Sequence, residues 1–345
     1  MIAGILGSTG YTGAELVRIL LHHPEVDLAF VDSRKYQDKS FETAYKNLKD
    51  KATIVAQSID PENLPEKVDV VFCALPHRIS QDKVFKLRKN DTRVIDLSAD
   101  FRLDDQQVYE KWYQTDHRCP ELLGEAVYGL PEWYGSEVSQ ASLVANPGCF
   151  PTSILLPLLP LIKEKLIDGD QIIIDSKTGI SGAGRNPSEI NVFSQVNENV
   201  RAYAIGEHRH IPEIEQELTK AAGMEVIIQF TPHLVPMDRG ILSTIVIPAA
   251  SNLTEAKIEE CYHTYYGSKP FIRLFGDSVL PETKAVRGSN FCDIAWKIDR
   301  RSGNLVLVSA IDNLIKGSSG EAVQNMNLMM GYPEEMGLNH LPIWP

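Results

Sequence analysis

Two hydrophobic periods alternate along the first third of the chain. Residues 2–6 form a compact apolar run. Residues 12–23 follow with Leu16, Val17, Ile19 and Leu20 at helical spacing, and Pro24 closes the pattern. Residues 26–31, 68–75, 93–97 and 142–145 are further short apolar runs. Strand and helix in alternation predict a parallel sheet with helical crossovers. The pattern then changes. Residues 171–175 read as a strand, and residues 225–235 and 241–250 are long β-branched runs joined by residues 236–240. Residues 291–298 and 304–311 are joined through residues 299–303. Both sets have the look of antiparallel pairs. The spacing therefore predicts an α/β chain: a Rossmann-type dinucleotide-binding domain and an α+β domain with a mostly antiparallel sheet. The boundary falls near Asn146–Gly148, giving residues 1–147 and 148–313. A C-terminal helical segment, about 314–345, is expected to complete the first domain.

Composition narrows the function. Apolar residues are 43% of the 345, enough for a sizeable core. The formal charge is −12, which argues against a nucleic-acid partner, since such a partner wants a basic face. The longest apolar stretch, residues 150–162, is shorter than the ~20 residues of a membrane span and carries Pro151, Pro157 and Pro160. No targeting segment opens the chain, so no membrane association is expected. The cysteines are Cys73, Cys119, Cys149, Cys261 and Cys292. An odd number without Cys-x-x-Cys spacing predicts neither a disulfide framework nor a structural zinc site. It reads as a reduced, cytoplasmic chain.

Gly7-Ser8-Thr9-Gly10-Tyr11-Thr12-Gly13 lies between the first strand and the first helix. In that setting a glycine turn lets the backbone approach a pyrophosphate at a helix N-terminus. The second strand ends in Asp32-Ser33-Arg34-Lys35. An acid there grips a ribose 2′-hydroxyl, whereas cations accommodate a 2′-phosphate. Both kinds are present; Ser33, Arg34 and Lys35 tilt the reading to NADP.

Asn146-Pro147-Gly148-Cys149-Phe150-Pro151-Thr152 places Cys149 after a strand and at the start of an apolar helix. Helix N-termini lower a thiol pKa and favour the nucleophilic thiolate, although most free cysteines are simply buried. A thiolate wants an acid–base partner. Glu207-His208-Arg209-His210-Ile211-Pro212-Glu213 supplies two histidines, with no third ligand to make a metal site. Arg102, in Asp96-Leu97-Ser98-Ala99-Asp100-Phe101-Arg102, follows a strand end and suits an anion. Residues 175–185 form a small-residue loop with cationic ends, and residues 316–320 open the last helix.

The ordered set GSTGYTG, SR, ALPH, DLSADFRL, YGLPE, NPGCFPT, SGAGR, EHRHIPEI and NLIKGSSGEAVQNMN resembles the N-acetyl-γ-glutamyl-phosphate reductase family from Gly7 to Asn327. The family is NADP-dependent and serves arginine biosynthesis; aspartate-semialdehyde dehydrogenase is a relative. The resemblance implies NADPH-dependent reduction of N-acetyl-L-glutamyl 5-phosphate to the 5-semialdehyde and phosphate through a Cys149 thioacyl intermediate. It implies that His210, nearer the helix entry, or else His208, handles the proton. The glycine turn with Ser33 and Arg34 holds NADP, and Ser181 and Gly182 with Asn313 lie near the nicotinamide. Arg102 grips the leaving phosphate, and Ser98, His77 and Glu213 add substrate contacts. It also implies a homodimer or homotetramer built through the second domain's sheet.

Three alternatives stand beside this reading. The first is the same chemistry on aspartyl phosphate or a carrier-linked aminoadipyl phosphate. The second is a short-chain reductase with a Tyr-x-x-x-Lys pair, a spacing found at Tyr45/Lys49 and Tyr265/Lys269. The third is a non-enzymatic NADP sensor.

Overall fold

The first apolar run becomes β1 (Ile2–Leu6), followed by α1 (Tyr11–Leu20) and β2 (Asp27–Val31). These coordinates are a computed structural model describing residues 1–65, 67–189 and 191–344. The chain goes on through β3 (Val70–Cys73), α2 (Ile79–Lys89), β4 (Arg93–Asp96), α3 (Gln106–Tyr113), β5 (Ala126–Tyr128), α4 (Pro131–Gln140) and β6 (Leu143–Ala145). The strands form one sheet in the order β2-β1-β3-β4-β6-β5, and every pairing is parallel. β3 and β6 are buried along their whole length, as strands covered on both faces must be. The order reverses between β1 and β3, the point where open α/β sheets bind ligands.

The compact unit built on this sheet comprises Met1–Pro147 and Ser318–Asn339. The returning segment carries α9 (Gly320–Met330), which packs on α1 and α4. The second unit comprises Gly148–Gly317 and a short tail from His340 onward, where Ile343 N–H donates to Arg287 O at 2.9 Å. The segment expected to lie wholly in the first unit, residues 314–345, is thus divided between the two.

The second unit opens with α5 (Cys149–Lys163) and continues with β7 (Ile172–Thr178), α6 (Phe193–Val196), β8 (Arg201–Ala202), α7 (Ile211–Ala222) and β9 (Ile228–Leu234). Then come β10 (Ile241–Pro248), α8 (Glu255–Tyr266), β11 (Ile272–Gly276), β12 (Cys292–Asp299), β13 (Asn304–Ile311) and a π-helical turn, Ile315–Ser319. The strand order is β11-β12-β13-β10-β7-β9-β8, antiparallel except for β11–β12 and β7–β9. β12 and β13 pair as the spacing predicts.

β9 and β10 do not pair with each other, contrary to the antiparallel pairing that the short link of residues 236–240 predicts; β7 lies between them. The connection wraps around the end of β7. Val235 N–H donates to Thr178 O, Ile180 N–H to Met237 O and Gly179 N–H to Gly240 O, all at 2.9–3.1 Å. A short linker between two β-branched runs does not distinguish a turn from a wrap of this kind, because both satisfy the backbone locally.

α5 is apolar on all sides and buried almost throughout, packed on β10 and β13 and beside α7 and α8. It runs through Pro157 and Pro160, each of which removes the N–H that would bond the carbonyl four residues back. Those carbonyls find other donors. Ser309 Oγ donates to Ser153 O at 2.5 Å, and the Tyr266 hydroxyl donates to Leu156 O at 2.7 Å. The prolines that argued against a membrane span are therefore absorbed by the core of the second unit. Among the described residues no helix is long and apolar enough to cross a membrane.

Candidate active site and cofactor site

In the first unit the glycine turn joins β1 to α1. Gly7 has φ +75°, and a Cβ there would lie 2.3 Å from Ala74 O, so only glycine fits against the strand end of β3. Gly13 is equally closed, with Ser8 Cα 2.6 Å from a built Cβ. Gly10 differs: its Cβ would meet only Gly7 O, at 3.7 Å. The protein itself leaves room there, at the N-terminus of α1, which has no side-chain cap and no acid in its first turn. That is the cradle a pyrophosphate requires. The Tyr45 hydroxyl donates to Thr9 O and Gly10 O at 3.0 and 3.3 Å, which gives Tyr45 a structural task and removes it as half of a Tyr-Lys pair.

Asp32 settles its own ambiguity. Its Oδ1 accepts Ile59 N–H at 2.9 Å, its Oδ2 accepts Gly7 N–H at 3.4 Å, and its carbonyl accepts both Ser8 N–H and Ser8 Oγ. The acid is a brace for the glycine turn. Ser8 is fully buried, so it serves the turn from within. Ser33 Oγ lies 3.3 Å from Thr9 Oγ1 and accepts Tyr36 N–H, while Arg34 and Lys35 project into solvent. Thr12 joins the last helix through Ser319 Oγ, which donates to Thr12 O at 2.9 Å.

The Asp96–Arg102 segment is built inward. Ser80 and Ser98 hydroxyls both donate to the Asp96 carboxyl, which burial and the neighbouring Asp100 push up to about 7. Asp100 accepts Arg78 N–H at 2.9 Å and the Tyr109 hydroxyl. It thereby holds Arg78 at φ +72° and fixes the adjacent His77, whose ring lies edge-on to Tyr113. Arg102 is only 8% exposed; it donates to Asn146 O at 2.8 Å and to Leu97 O at 3.0 Å. Asn146 is also held by Asn325 Nδ2, which donates to its Oδ1 at 3.0 Å. Ser98 and Arg102, read as substrate contacts, are here engaged within the unit, and Arg102 steadies the chain at Asn146, three residues before Cys149.

In the second unit Cys149 is the first residue of α5, and no acid lies in the helix's first turn. It is the one partly exposed cysteine of the five. Burial raises the thiols of Cys73, Cys119 and Cys261, the last two to about 12. The residues flanking Cys149 reach the histidine segment. Gly148 N–H donates to Glu213 Oε1 at 2.8 Å, and the Phe150 ring sits edge-on to His208 and His210 at 5.4 and 5.9 Å. His208 and His210 are themselves 4.8 Å apart, and Phe230 and Tyr203 close the cluster around His208. Burial, reinforced by His210, lowers the His208 pKa to about 3. Its Nδ1 accepts the His210 backbone N–H at 3.1 Å, so His208 is a neutral, fixed ring.

Tyr203 is a residue the sequence reading missed. Burial and the nearby Cys149 thiol both raise its hydroxyl pKa, and the next residue, Ala204, has φ +46°. Its only sequence signal was proximity to the histidine motif. Elsewhere in the unit, Asn313 Nδ2 donates to Ser181 Oγ at 3.0 Å and its Oδ1 accepts Gly240 N–H at 2.8 Å. The Ser181-Gly182 loop and Asn313 are brought together, with Gly182 exposed. Among the described residues no cluster of potential ligands fits a metal ion. The Tyr265 hydroxyl donates to Glu164, so Tyr265/Lys269 is not a proton-transfer pair.

Two family models divide the chain in the same way. "Semialdehyde dehydrogenase, NAD binding domain" matches residues 2–141, and "Semialdehyde dehydrogenase, dimerisation domain" matches residues 149–313. Fold and site thus define a class: nicotinamide-linked oxidoreductases of the semialdehyde dehydrogenase type. Solved aspartate semialdehyde dehydrogenases share the fold. The Vibrio cholerae enzyme II aligns with TM-score 0.73 at 18% identity, covering 96% of this chain and 98% of that one. The Candida albicans enzyme, solved with NADP, aligns with TM-score 0.68 at 18% identity, covering 95% and 98%. Curated relatives are far more similar. N-acetyl-gamma-glutamyl-phosphate reductase of Alkaliphilus metalliredigens is 58% identical over 343 residues, and that of Geobacter sp. (strain M21) 51% over 342, each covering 99% of both chains. The chain belongs to the N-acetyl-γ-glutamyl-phosphate reductase family.

Proposed function

We propose that this enzyme reduces N-acetyl-γ-glutamyl 5-phosphate to the 5-semialdehyde, a step of arginine biosynthesis, through a thioester on Cys149. One observation carries the reading: the single partly exposed thiol stands at a helix N-terminus whose flanking residues contact the histidine pair. The helix end favours the thiolate. The thiolate attacks the acyl carbon, the carbon–oxygen bond to phosphate breaks, and inorganic phosphate leaves. NADPH, when bound, supplies the hydride that reduces the thioester carbonyl. His210 is the acid–base group, because His208 is held neutral with its Nδ1 already engaged. Protonation and collapse then release the aldehyde and restore the thiol. In the first unit the turn Gly7–Gly13 and Ser33-Arg34 receive the cofactor; Ser181, Gly182 and Asn313 serve its nicotinamide end. His77 and Glu213 border the substrate region, Glu213 chiefly by holding Gly148.

The working particle is a homodimer or homotetramer formed through residues 148–313, and its place is the cytoplasm, which suits five free thiols. NADPH oxidation followed with N-acetyl-γ-glutamyl phosphate, beside aspartyl phosphate, tests the substrate assignment. Turnover with the first and little with the second is expected; the reverse preference contradicts it.

A further inference from the structure

We propose that Gly317 is a positioning residue for Cys149: the missing side chain at 317 is the seat against which the nucleophile rests. This rests on the reading of Cys149 as the nucleophile. A Cβ built at 317 would lie 2.8 Å from Cys149 Cβ, 3.1 Å from Cys149 Cα and 3.1 Å from Ile311 Cδ1. Carbon atoms in contact prefer about 3.5–4.0 Å. Gly317 is not among the residues with positive φ, so its backbone makes no demand for glycine. The demand comes from Cys149.

Neither side is free to yield. Gly317 lies in the π-helical turn Ile315–Ser319, a distortion often found at functional sites. Its N–H donates to Asp312 O at 3.0 Å. Asp312, fully buried, ties the rest of the turn: Oδ1 accepts Leu314 N–H at 2.8 Å and Ile315 N–H at 3.2 Å. Its Oδ2 accepts Gly288 N–H at 2.7 Å and faces Arg239 Nη1 at 3.4 Å. On the other side, the first turn of α5 is held by three hydrogen bonds. Gly148 N–H donates to Glu213, Thr152 Oγ1 donates to Gly148 O at 3.2 Å, and Ser153 Oγ donates to Phe150 O at 2.9 Å. Two braced backbones in contact leave the Cys149 side chain little choice of direction. Asn313, two residues before this turn, pins the Ser181 loop, so one short segment positions both the thiol and that loop.

Gly317→Ala tests the assignment. Displacement of a reacting atom by about 1 Å costs on the order of 10²-fold, so kcat is expected to fall about that much, with KM changed far less. The pH profile of Cys149 alkylation by iodoacetamide, read by peptide mass spectrometry, should shift as well. Thermal melts of Gly317→Ala, Cys149→Gly and the double variant supply a cycle that needs no activity. Gly317→Ala should lower Tm by roughly 4 °C or more, and by clearly less when Cys149 has already lost its Cβ. If Gly317→Ala fails to fold, recovery of folded protein in the double variant supports the contact, and continued misfolding overturns it. Equal Tm losses in both backgrounds, or Gly317→Ala with unaltered alkylation and kcat, also overturn it. A Cys149→Ser enzyme that retains turnover would instead defeat the nucleophile reading, while the melting cycle still judges the packing.

Discussion

Glu213 and Gly148, 65 residues apart, are joined by a 2.8 Å hydrogen bond from the Gly148 N–H to the Glu213 carboxylate. Glu213 lies in the first turn of α7, and Gly148 is the cap residue of α5. One carboxylate thus stands at the N-terminal ends of two helices, where negative charge is favoured. It fixes the residue before Cys149.

A hydrogen bond to a charged group contributes about 1.5–3 kcal/mol. Glu213→Ala should therefore lower Tm and cut turnover by about tenfold or more. Glu213→Gln keeps an acceptor oxygen and should lose less of both. Melting curves and initial rates check this; an alanine variant matching the native enzyme would contradict it.

Arg34 should decide the cofactor. With both Asp32 oxygens engaged by backbone N–H groups, the acid is not offered to a ribose hydroxyl, and exposed Arg34 is left to meet a 2′-phosphate. Loss of that charge-assisted contact, about 1.5–3 kcal/mol, means roughly a tenfold or larger drop in NADPH affinity for Arg34→Ala. NADH affinity should hardly move. Titration with both cofactors is the check, and equal losses would contradict the assignment.

His210 and His208 should separate both in rate and in pH behaviour. General acid–base assistance is typically worth about 10²–10⁴-fold, so His210→Asn should lose that and His208→Asn much less. Folding lowers the His208 pKa from 6.5 to about 3, chiefly by burial. The unfolded chain binds more protons between those values. His208 therefore supports folding fully above pH 6.5, and that support is lost as the pH falls towards 3. His208→Asn should show a smaller fall in Tm between pH 7.5 and pH 5 than the native enzyme. Parallel slopes would contradict the burial argument.

Much of this was legible in the chain because local signals agreed with the global fold. The alternating runs of residues 2–145 give the parallel sheet, and GSTGYTG falls between a strand and a helix as its chemistry needs. Cys149 stood out because a strand, a proline-bearing apolar run and NPG surround it. Side-chain partnerships were less legible. Asp32, Ser98 and Arg102 are residue types that bind ligands; here Asp32 and Arg102 hold backbone groups and Ser98 donates to the Asp96 carboxyl, because sequence gives the type and not the partner. The β7 strand between β9 and β10 was hidden because sheet order depends on contacts far apart in sequence. The serine and tyrosine hydroxyls that serve the carbonyls freed by Pro157 and Pro160 come from positions 309 and 266, beyond the reach of any local pattern.

In the proposed mechanism Cys149 carries a covalent acyl group. Incubation of the enzyme with N-acetyl-γ-glutamyl phosphate without NADPH, acid quench and peptide mass spectrometry test it most directly. An N-acetylglutamyl thioester on the Cys149 peptide, released by hydroxylamine and absent in Cys149→Ser, is the expected result. The adduct on another cysteine, or full turnover by Cys149→Ser, would contradict it.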